Sequence, residues 1–192
     1  GYGGWRIITE YNDDDTFAQD IKIKPIRTAT TSLWFDDSAE EYDKRDAEWA
    51  FFTSDMPREE HAKKYPNSGG SEWSQEKFNQ NGCESWLNGD NLRVAEYWVK
   101  TPITKEIALL SDGRVIDSDE EKDVLDELAA QGVTVKKSRT VQSHKVEMYL
   151  LDGSGILEDA KEWAGKFIPL IPMYGRQSHI EAKTYTRGIV RF

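Results

Sequence analysis

The run from Trp163 to Arg176, W-A-G-K-F-I-P-L-I-P-M-Y-G-R, constrains the fold of this chain more than any other stretch. Its apolar residues follow one another almost without a polar interruption and glycines bound them, which is typical of a strand buried on both faces. Pro169 and Pro172 each lack a ladder donor and fix φ, so such a strand is expected at a sheet edge, a strand start or a bulge. The sequence therefore predicts a bent, largely buried strand over Phe167–Tyr174, with other elements packed around it and no catalytic residue type within it.

Length and composition predict a folded domain with an acidic surface. The chain has 192 residues, 38% of them hydrophobic, with seven Trp, eight Tyr and seven Phe. This is enough to bury a substantial core in a single domain, over residues 1–192. The net charge of −10 argues against a surface that grips nucleic-acid phosphates, although DNA could still slide past an acidic wall.

The chain lacks the signatures of secreted and membrane proteins. A single cysteine, Cys83, excludes an intramolecular disulfide framework and a cysteine-based zinc cluster, which fits synthesis in a reducing, intracellular compartment. No apolar run is long enough to span a bilayer, and no signal-peptide pattern is present. Because the chain starts at Gly1 without Met and ends inside the strand-like segment Thr186–Phe192, we expect it to be a segment of a longer polypeptide.

Strand-like segments dominate the sequence and predict a mainly antiparallel sheet. Asp112-Gly113 predicts a two-residue hairpin turn that needs positive φ, and Asp152-Gly153 predicts another turn. The predicted strands are rich in β-branched and aromatic residues. Besides Phe167–Tyr174 they are Trp5–Tyr11, Ile21–Arg27, Leu33–Phe35, Ala47–Thr53, Leu92–Lys100, Ile103–Leu110, Val115-Ile116, Val133–Val141, His144–Leu151, Ile156-Leu157 and Ile180–Phe192.

Two short helices are predicted to pack on this sheet, which makes the fold class α+β. Ser54 or Asp55 is expected to cap the first, over Pro57–Tyr65. Ser118 and Glu121 are expected to form a capping box that opens the second, with Gly132 as its left-handed exit. The apolar face of this second helix comprises Val124, Leu125, Leu128 and Ala129.

The segment Asn67–Asn91 differs in texture from the rest of the chain. It is rich in Ser, Gly, Asn and Gln and predicts a long, flexible surface insertion in the domain. The apolar residues that could anchor it are Trp73, Phe78, Trp86 and Leu87. A module that binds a partner through Trp73–Trp86 is one functional reading of this segment.

The densest carboxylate cluster lies between residues 36 and 46. Its members are Asp36, Asp37, Glu40, Glu41, Asp43 and Asp46. Calcium or magnesium takes several oxygen ligands from such loops, but the spacing of a calcium-binding loop is absent. A solvated acidic loop is therefore favoured, and a metal-dependent hydrolase using Asp36, Asp37, Glu40 and Asp43 is kept as the alternative.

No other sequence pattern predicts a catalytic, cofactor-binding or metal-binding residue. His61, His144 and His179 lie far apart in sequence, and Cys83 has no neighbouring histidine. Gly153-Ser154-Gly155 lacks the spacing of a nucleophile elbow. Basic and aromatic residues near the end of the chain could touch nucleic acid, although a strand explains them better; they are Lys183, Tyr185, Arg187 and Arg191. The chemistry is that of a scaffold.

Characteristic stretches follow one another along nearly the whole chain. They are G-Y-G-G-W-R-I-I-T-E-Y (1–11), I-K-I-K-P-I (21–26), W-F-D-D-S-A (34–39), D-K-R-D-A-E-W-A-F (43–51), V-A-E-Y-W (94–98), L-L-S-D-G-R-V-I-D (109–117), R-T-V-Q-S-H-K-V (139–146), F-I-P-L-I-P-M-Y-G-R (167–176) and Y-T-R-G-I-V-R (185–191). In their order and spacing these stretches resemble the portal proteins of short-tailed bacteriophages. Asn67–Asn91 has no counterpart in the resemblance.

The resemblance implies a structural virion protein without cofactors. A portal forms a dodecameric ring at one capsid vertex, through which double-stranded DNA is packaged by the terminase and later ejected. This chain would be much of the wing region, outside the channel-lining stem and the terminase-facing clip. The implied partners are neighbouring subunits, terminase, coat or scaffolding proteins and head-completion proteins, with no sequence-specific DNA contact and no membrane. Assembly would take place in the cytoplasm of a bacterial host, from a phage or prophage gene.

Overall fold

A computed structural model of the chain describes residues 2–118, 122–181 and 183–188. Twelve strands are described: β1 Tyr2–Tyr11, β2 Gln19–Ile26, β3 Leu33–Phe35, β4 Trp49–Pro57, β5 Leu87–Asn88, β6 Asn91–Leu110, β7 Val115–Asp117, β8 Val135–Asp152, β9 Gly155–Trp163, β10 Leu170–Tyr174, β11 Arg176–Ile180 and β12 Lys183–Arg187. The described helices are α1 Ala29–Ser32, α2 Arg58–Lys64, α3 Gln75–Gln80 and α4 Lys122–Ala130, with 3-10 turns at Gly69–Glu72 and Glu84–Trp86. Antiparallel sheets with short helices confirm the predicted α+β class.

The chain divides into two compact units. The first comprises Gly1–Val99 with Val146–Phe192, and the second comprises Lys100–Lys145. The prediction of a single domain with an insertion stays a prediction. No helix among the described residues has the length and apolar character needed to cross a membrane.

The first unit holds a three-stranded antiparallel sheet in the order β10-β1-β2. β10 pairs with the start of β1, from Tyr2 to Arg6, whereas β2 pairs with β1 from Gly4 as far as Tyr11. The distal half of the β1–β2 hairpin therefore extends beyond β10 as a two-stranded ribbon.

The larger sheet follows the order β3-β4-β6-β8-β9. β4 runs antiparallel to β6 from Trp49, opposite Val99, to Pro57, opposite Asn91. β8 and β9 form a hairpin that closes at Asp152, opposite Gly155. Beyond this hairpin, β11 and β12 form a separate two-stranded pair.

The core of the first unit gathers residues from both ends of the chain. Trp98 and Trp163 pack edge to face, with ring centroids 5.9 Å apart. Ala39, within the acidic segment 36–46, and Ala47, directly after it, are buried in the same cluster. The other buried members are Ile26, Ala29, Leu33, Phe35, Ala50, Val146, Ile168 and Leu170. The predicted central role of the Trp163–Arg176 run is thus confirmed for its buried residues.

The predicted strand over Phe167–Tyr174 is shorter and less buried than expected. It begins at Leu170, and Phe167 and Met173 are about half exposed. One face of β10 is buried through Leu170 and Pro172, whereas Ile171 and Met173 on the other face are partly exposed, so burial on both faces was a wrong expectation. Among the described residues β10 is an edge strand. Its edge position does explain Pro172, since the missing N–H need not serve a second neighbour.

Two pairs of predicted strands are in fact continuous strands. β6 runs through Thr101-Pro102, and β8 runs through Gln142-Ser143. β4 pairs with β6 only as far as Val99, so Pro102 lies where β4 no longer needs an N–H donor. Pro102 and the polar pair Gln142-Ser143 therefore interrupt the hydrophobic sequence pattern, although each strand continues through them.

The predictions for the cap of the first helix and for the Asp112-Gly113 turn need correction. α2 begins after Pro57 without a side-chain cap, because Ser54 and Asp55 belong to β4. The Asp112-Gly113 turn is a three-residue loop, Ser111–Gly113, with positive φ at Gly113 and a hydrogen bond from Leu110 N–H to the Arg114 carbonyl. Positive φ at one position only is typical of this longer hairpin.

The apolar face of α4 is also narrower than predicted. Leu128 is buried and Leu125 half-buried, whereas Val124 and Ala129 are exposed. Gly132 has φ of 84°, which confirms the left-handed exit. The capping box predicted with Glu121 lies outside the described residues.

The segment Asn67–Asn91 contains α3, both 3-10 turns and β5 rather than loop alone. Phe78 is 1% exposed and packs edge to face with Trp73, with ring centroids 5.3 Å apart. Phe78 is thus an anchor, as expected. The predicted flexibility of the segment stays a prediction.

Candidate functional site

The acidic loop, residues 36–46, engages its first carboxylate in local hydrogen bonds. Asp36 Oδ1 accepts from the Ser38 N–H at 2.9 Å and the Ser38 hydroxyl at 2.8 Å, and Oδ2 accepts from the Glu48 N–H at 3.2 Å. The Ser38 N–H, assisted by its hydroxyl, holds the pKa of Asp36 below its ordinary value. Asp36 is buried and acts as a turn-forming residue.

Two further carboxylates of the acidic loop are engaged in the same way. Asp46 Oδ2 accepts from the N–H groups of Glu40 and Glu41 at 2.5 and 3.0 Å. Asp43 forms a bidentate pair with Arg45, which lowers the pKa of Asp43. These contacts use the oxygens that a metal or a substrate would need.

The proposed hydrolase site therefore has no structural support. Of its four residues, Asp36 and Asp43 are committed to neighbours within the loop, and Asp37 and Glu40 are exposed. Across residues 2–118, 122–181 and 183–188 there is no cluster of three or more His, Cys, Asp or Glu side chains placed to hold a metal.

A buried polar cluster lies at the turn between β8 and β9. Asp152 Oδ1 accepts from the N–H and the hydroxyl of Ser154 at 2.7 and 2.6 Å and from the Gly155 N–H at 3.0 Å. Its Oδ2 accepts from the Ser68 hydroxyl at 2.6 Å and lies 3.1 Å from His61 Nε2. Burial lowers the pKa of His61 although Asp152 is adjacent, so the neutral imidazole is favoured near pH 7.

This cluster binds segments together rather than activating a nucleophile. A Ser-His-Asp triad needs the imidazole between the hydroxyl and the carboxylate, whereas here Asp152 lies between His61 and both serines. His61 is also 0% exposed, so no substrate reaches it. Ser154, from the predicted Gly153-Ser154-Gly155 motif, is a turn residue.

Close packing around the cluster requires two glycines. A Cβ on Gly70 would lie 2.5 Å from Asp152 Oδ2, and a Cβ on Gly153 would lie 2.8 Å from Phe78. The segment after α2 is therefore held against the β8–β9 turn by both polar and apolar contacts.

The remaining sequence candidates belong to separate elements. His144 lies on β8, and His179 on β11 is 3.0 Å from the Thr184 hydroxyl. Cys83 precedes the 3-10 turn Glu84–Trp86 and donates weakly to the Asn81 carbonyl. None of them shares a cluster with another candidate in the described part of the chain.

The basic and aromatic residues near the end of the chain lie on a strand, which is the favoured reading. Lys183, Tyr185 and Arg187 fall on β12, and Arg187 lies opposite Arg176 of β11. Arg191 lies outside the described residues.

The surface feature of the first unit that the sequence analysis missed is the distal half of the β1–β2 hairpin. Ile21 is 75% and Ile23 63% exposed, and the cross-strand partner of Ile23 is Ile7, on the same face. Ile7 and Ile21 also line a concavity of about 530 Å³ with Phe167 and neighbouring residues. The alternation Ile21-Lys22-Ile23-Lys24 carried this signal.

The hairpin tip, residues 12–18, adds a concentrated set of exposed groups. Phe17 is 95% exposed and follows Asp13, Asp14 and Asp15. The three carboxylates have no hydrogen bond or ion pair among the described residues. The tip is therefore acidic and aromatic, with its side chains turned to solvent.

The second unit has a face of the opposite charge. The start of β8 reads V-K-K-S-R-T-V and is exposed through Thr140. Lys137 and Arg139 line a concavity of about 370 Å³ whose other wall is apolar. That wall comprises Ile107, Leu109 and Val115. We call this concavity the basic face.

Comparison with known proteins adds family information to this geometry. A family model described as "Phage P22-like portal protein" matches residues 1–192. A protein named "Portal protein", from Acyrthosiphon pisum secondary endosymbiont phage 1, is 32% identical over 189 residues. The alignment covers 94% of this chain but 26% of that relative, so the chain spans about a quarter of the relative's length.

Proposed function

Because the chain belongs to the family of phage P22-like portal proteins, we propose that it is part of the wing region of a portal, a structural protein of the virion. The observation that carries this proposal is the family match over the whole chain, residues 1–192. The resemblance found in the sequence motifs leads to the same family.

In this proposal the full-length protein assembles into a dodecameric ring at one vertex of a phage capsid. Double-stranded DNA enters the capsid through the ring, driven by the terminase, and leaves through it at infection. Neighbouring subunits, coat or scaffolding proteins and head-completion proteins are the other partners. The net charge of −10 supports a wall that DNA passes without sticking.

The role we propose is structural rather than enzymatic. Asp36, Asp43 and Asp46 are engaged with neighbouring donors, and the His61–Asp152 pair is buried. These contacts supply turns and packing, which a scaffold needs. We expect calorimetry to detect no calcium, magnesium or manganese binding tighter than about millimolar. Tighter binding that is lost in Asp36→Ala would favour the hydrolase alternative.

Ring assembly is the property that tests the proposal. Negative-stain microscopy of the full-length protein is expected to show rings, whereas this chain alone should sediment as a monomer because a ring closes through many contacts along the whole protein. A full-length protein that stays strictly monomeric at every concentration and salt condition would contradict the proposal.

A further inference from the structure

The hairpin tip has the features of a contact surface whose partner is missing. Phe17 is 95% exposed, and removing a phenyl ring from water into an apolar site is favourable. A two-stranded ribbon is marginally stable in water unless it packs on something, and no third strand pairs with the distal hairpin in the described part of the chain. Exposed apolar residues grouped in this way mark interaction sites.

Charge identifies the chemistry that this partner must have. From Glu10 to Asp20 the chain carries five acidic residues and no Lys or Arg. A complementary surface therefore needs cations beside an apolar concavity that can hold the phenyl ring of Phe17.

The basic face of the second unit meets both requirements. From Val135 to Lys145 the chain carries four Lys or Arg residues and no acidic residue. Lys137 and Arg139, which line the concavity, have no ion pair with any residue that the structure describes. The concavity of about 370 Å³ exceeds the roughly 150 Å³ that accommodates benzene in a protein interior.

We propose that the hairpin tip of one copy docks on the basic face of a second copy of this chain. Phe17 enters the concavity between Arg139 and the apolar wall, while Asp13–Asp15 pair with the cations around it. A ring is a heterologous assembly in which each copy offers two different, complementary surfaces. This inference rests on the proposed portal function and names one contact between neighbouring subunits in the ring.

The test is a charge exchange in the full-length protein, with ring formation measured by sedimentation velocity and negative-stain microscopy. One variant carries D13K/D14K/D15K, a second carries K137E/R139E, and a third combines both sets. We expect each single set to raise the concentration needed for half-maximal ring formation at least tenfold, and the combined set to restore most of that loss. Phe17→Asp should act like the single sets.

Two matched controls separate this contact from general effects of charge and polarity. E59K/E60K reverses exposed charges on α2, and Ile156→Asp replaces a residue on β9 that is 64% exposed. Both are expected to leave ring formation within about twofold of wild type. Thermal unfolding of every variant, with melting temperatures unchanged, shows that the subunit fold is intact.

The remaining outcomes are decisive. Wild-type protein without rings would overturn the proposed function itself, whereas wild-type rings that all variants also form would overturn this contact alone. If each single set impairs ring formation and the combined variant does not restore it, the two surfaces do not meet.

A lowered melting temperature for Phe17→Asp would place the tip against its own chain. Salt-dependent binding of duplex DNA that K137E/R139E abolishes, with rings intact, would assign the basic face to nucleic acid.

Discussion

The acidic loop and the hairpin tip are both rich in carboxylates, yet the structure uses them in opposite ways. In the acidic loop, Asp36 and Asp46 accept hydrogen bonds from backbone amides, and alanines beside them are buried in the core. In the tip, the carboxylates of Asp13 to Asp15 have no such bonds among the described residues, and Phe17 is exposed. A count of acidic residues therefore says little, because function depends on whether the local backbone already uses their oxygens.

The largest expected effect lies in the core that supports the acidic loop. Leu170, 3% exposed, shares a cluster with Ala39 and Ala47, so Leu170→Ala should lower the free energy of unfolding by about 2–5 kcal/mol. Ile171→Ala should cost less, since Ile171 is only half-buried. Denaturant titration measures both, and Phe17→Ala in the tip, expected within about 0.5 kcal/mol of wild type, is the control. Equal losses of unfolding free energy for Leu170→Ala and Phe17→Ala would show that the two regions do not differ in their contribution to stability.

A smaller loss is expected when a carboxylate of the acidic loop is removed. Asp36→Ala leaves the N–H groups of Ser38 and Glu48 without their acceptor and should cost about 1–3 kcal/mol of unfolding free energy. The adjacent Asp37→Ala, at an exposed position, is the matched control and should change stability by no more than about 0.5 kcal/mol. Similar values for the two variants would show that the turn does not depend on Asp36.

Acid should reveal the same carboxylate through the pH dependence of stability. The Ser38 N–H lowers the folded-state pKa of Asp36, so its contribution is present above the unfolded value of about 3.9 and is lost as pH falls through the folded value. Between pH 5 and pH 2.5 the free energy of unfolding should therefore fall more steeply for the wild-type chain than for Asp36→Asn. The difference between the two slopes should correspond to at most one proton taken up on unfolding. Parallel curves for the two proteins, measured by denaturant titration, would contradict this assignment.

The smallest effect on stability is expected at the hairpin tip. Replacing Asp13, Asp14 and Asp15 together by Asn removes three charges that stabilise no described contact. The free energy of unfolding should stay within about 0.5 kcal/mol of wild type at pH 7. A loss comparable to that of Asp36→Ala would mean that the tip, like the acidic loop, is bonded within its own chain.

Much of the strand pattern was accessible from sequence, because alternation and β-branched residues report directly on a pleated surface. Leu33–Phe35 and the β1–β2 hairpin are examples. Pro102 misled the prediction because the cost of a missing N–H depends on whether a neighbouring strand needs it, which only the pairing register decides. The same limitation applied to Ser54 and Asp55, which looked like helix caps and lie on a strand.

The site chemistry was less accessible, since it depends on residues distant in sequence. His61, Ser68 and Asp152 meet only because α2 is followed by a segment that packs on the β8–β9 turn. The carboxylates of the acidic loop were recognised as a cluster, but the backbone amides that engage them have no side-chain signature. The exposure of a side chain likewise depends on tertiary structure. Ile21 and Ile23 were therefore predicted as strand residues, but the exposure of their side chains to solvent was not predicted.

The pairing of β4 with β6 up to Pro57 and Asn91 has a consequence for how the chain can vary. The backbone leaves the sheet and returns to it at one point, so everything between these residues is a module closed at its base. Lengthening a closed loop costs only about 0.6 kcal/mol per doubling and leaves the strand register unchanged. Gly82, with φ of 69° and open space around its Cβ position, is where a peptide tag or a foreign segment can be inserted. Phe78 before that insertion point and Trp86 after it, both next to Gly153, would keep the module attached.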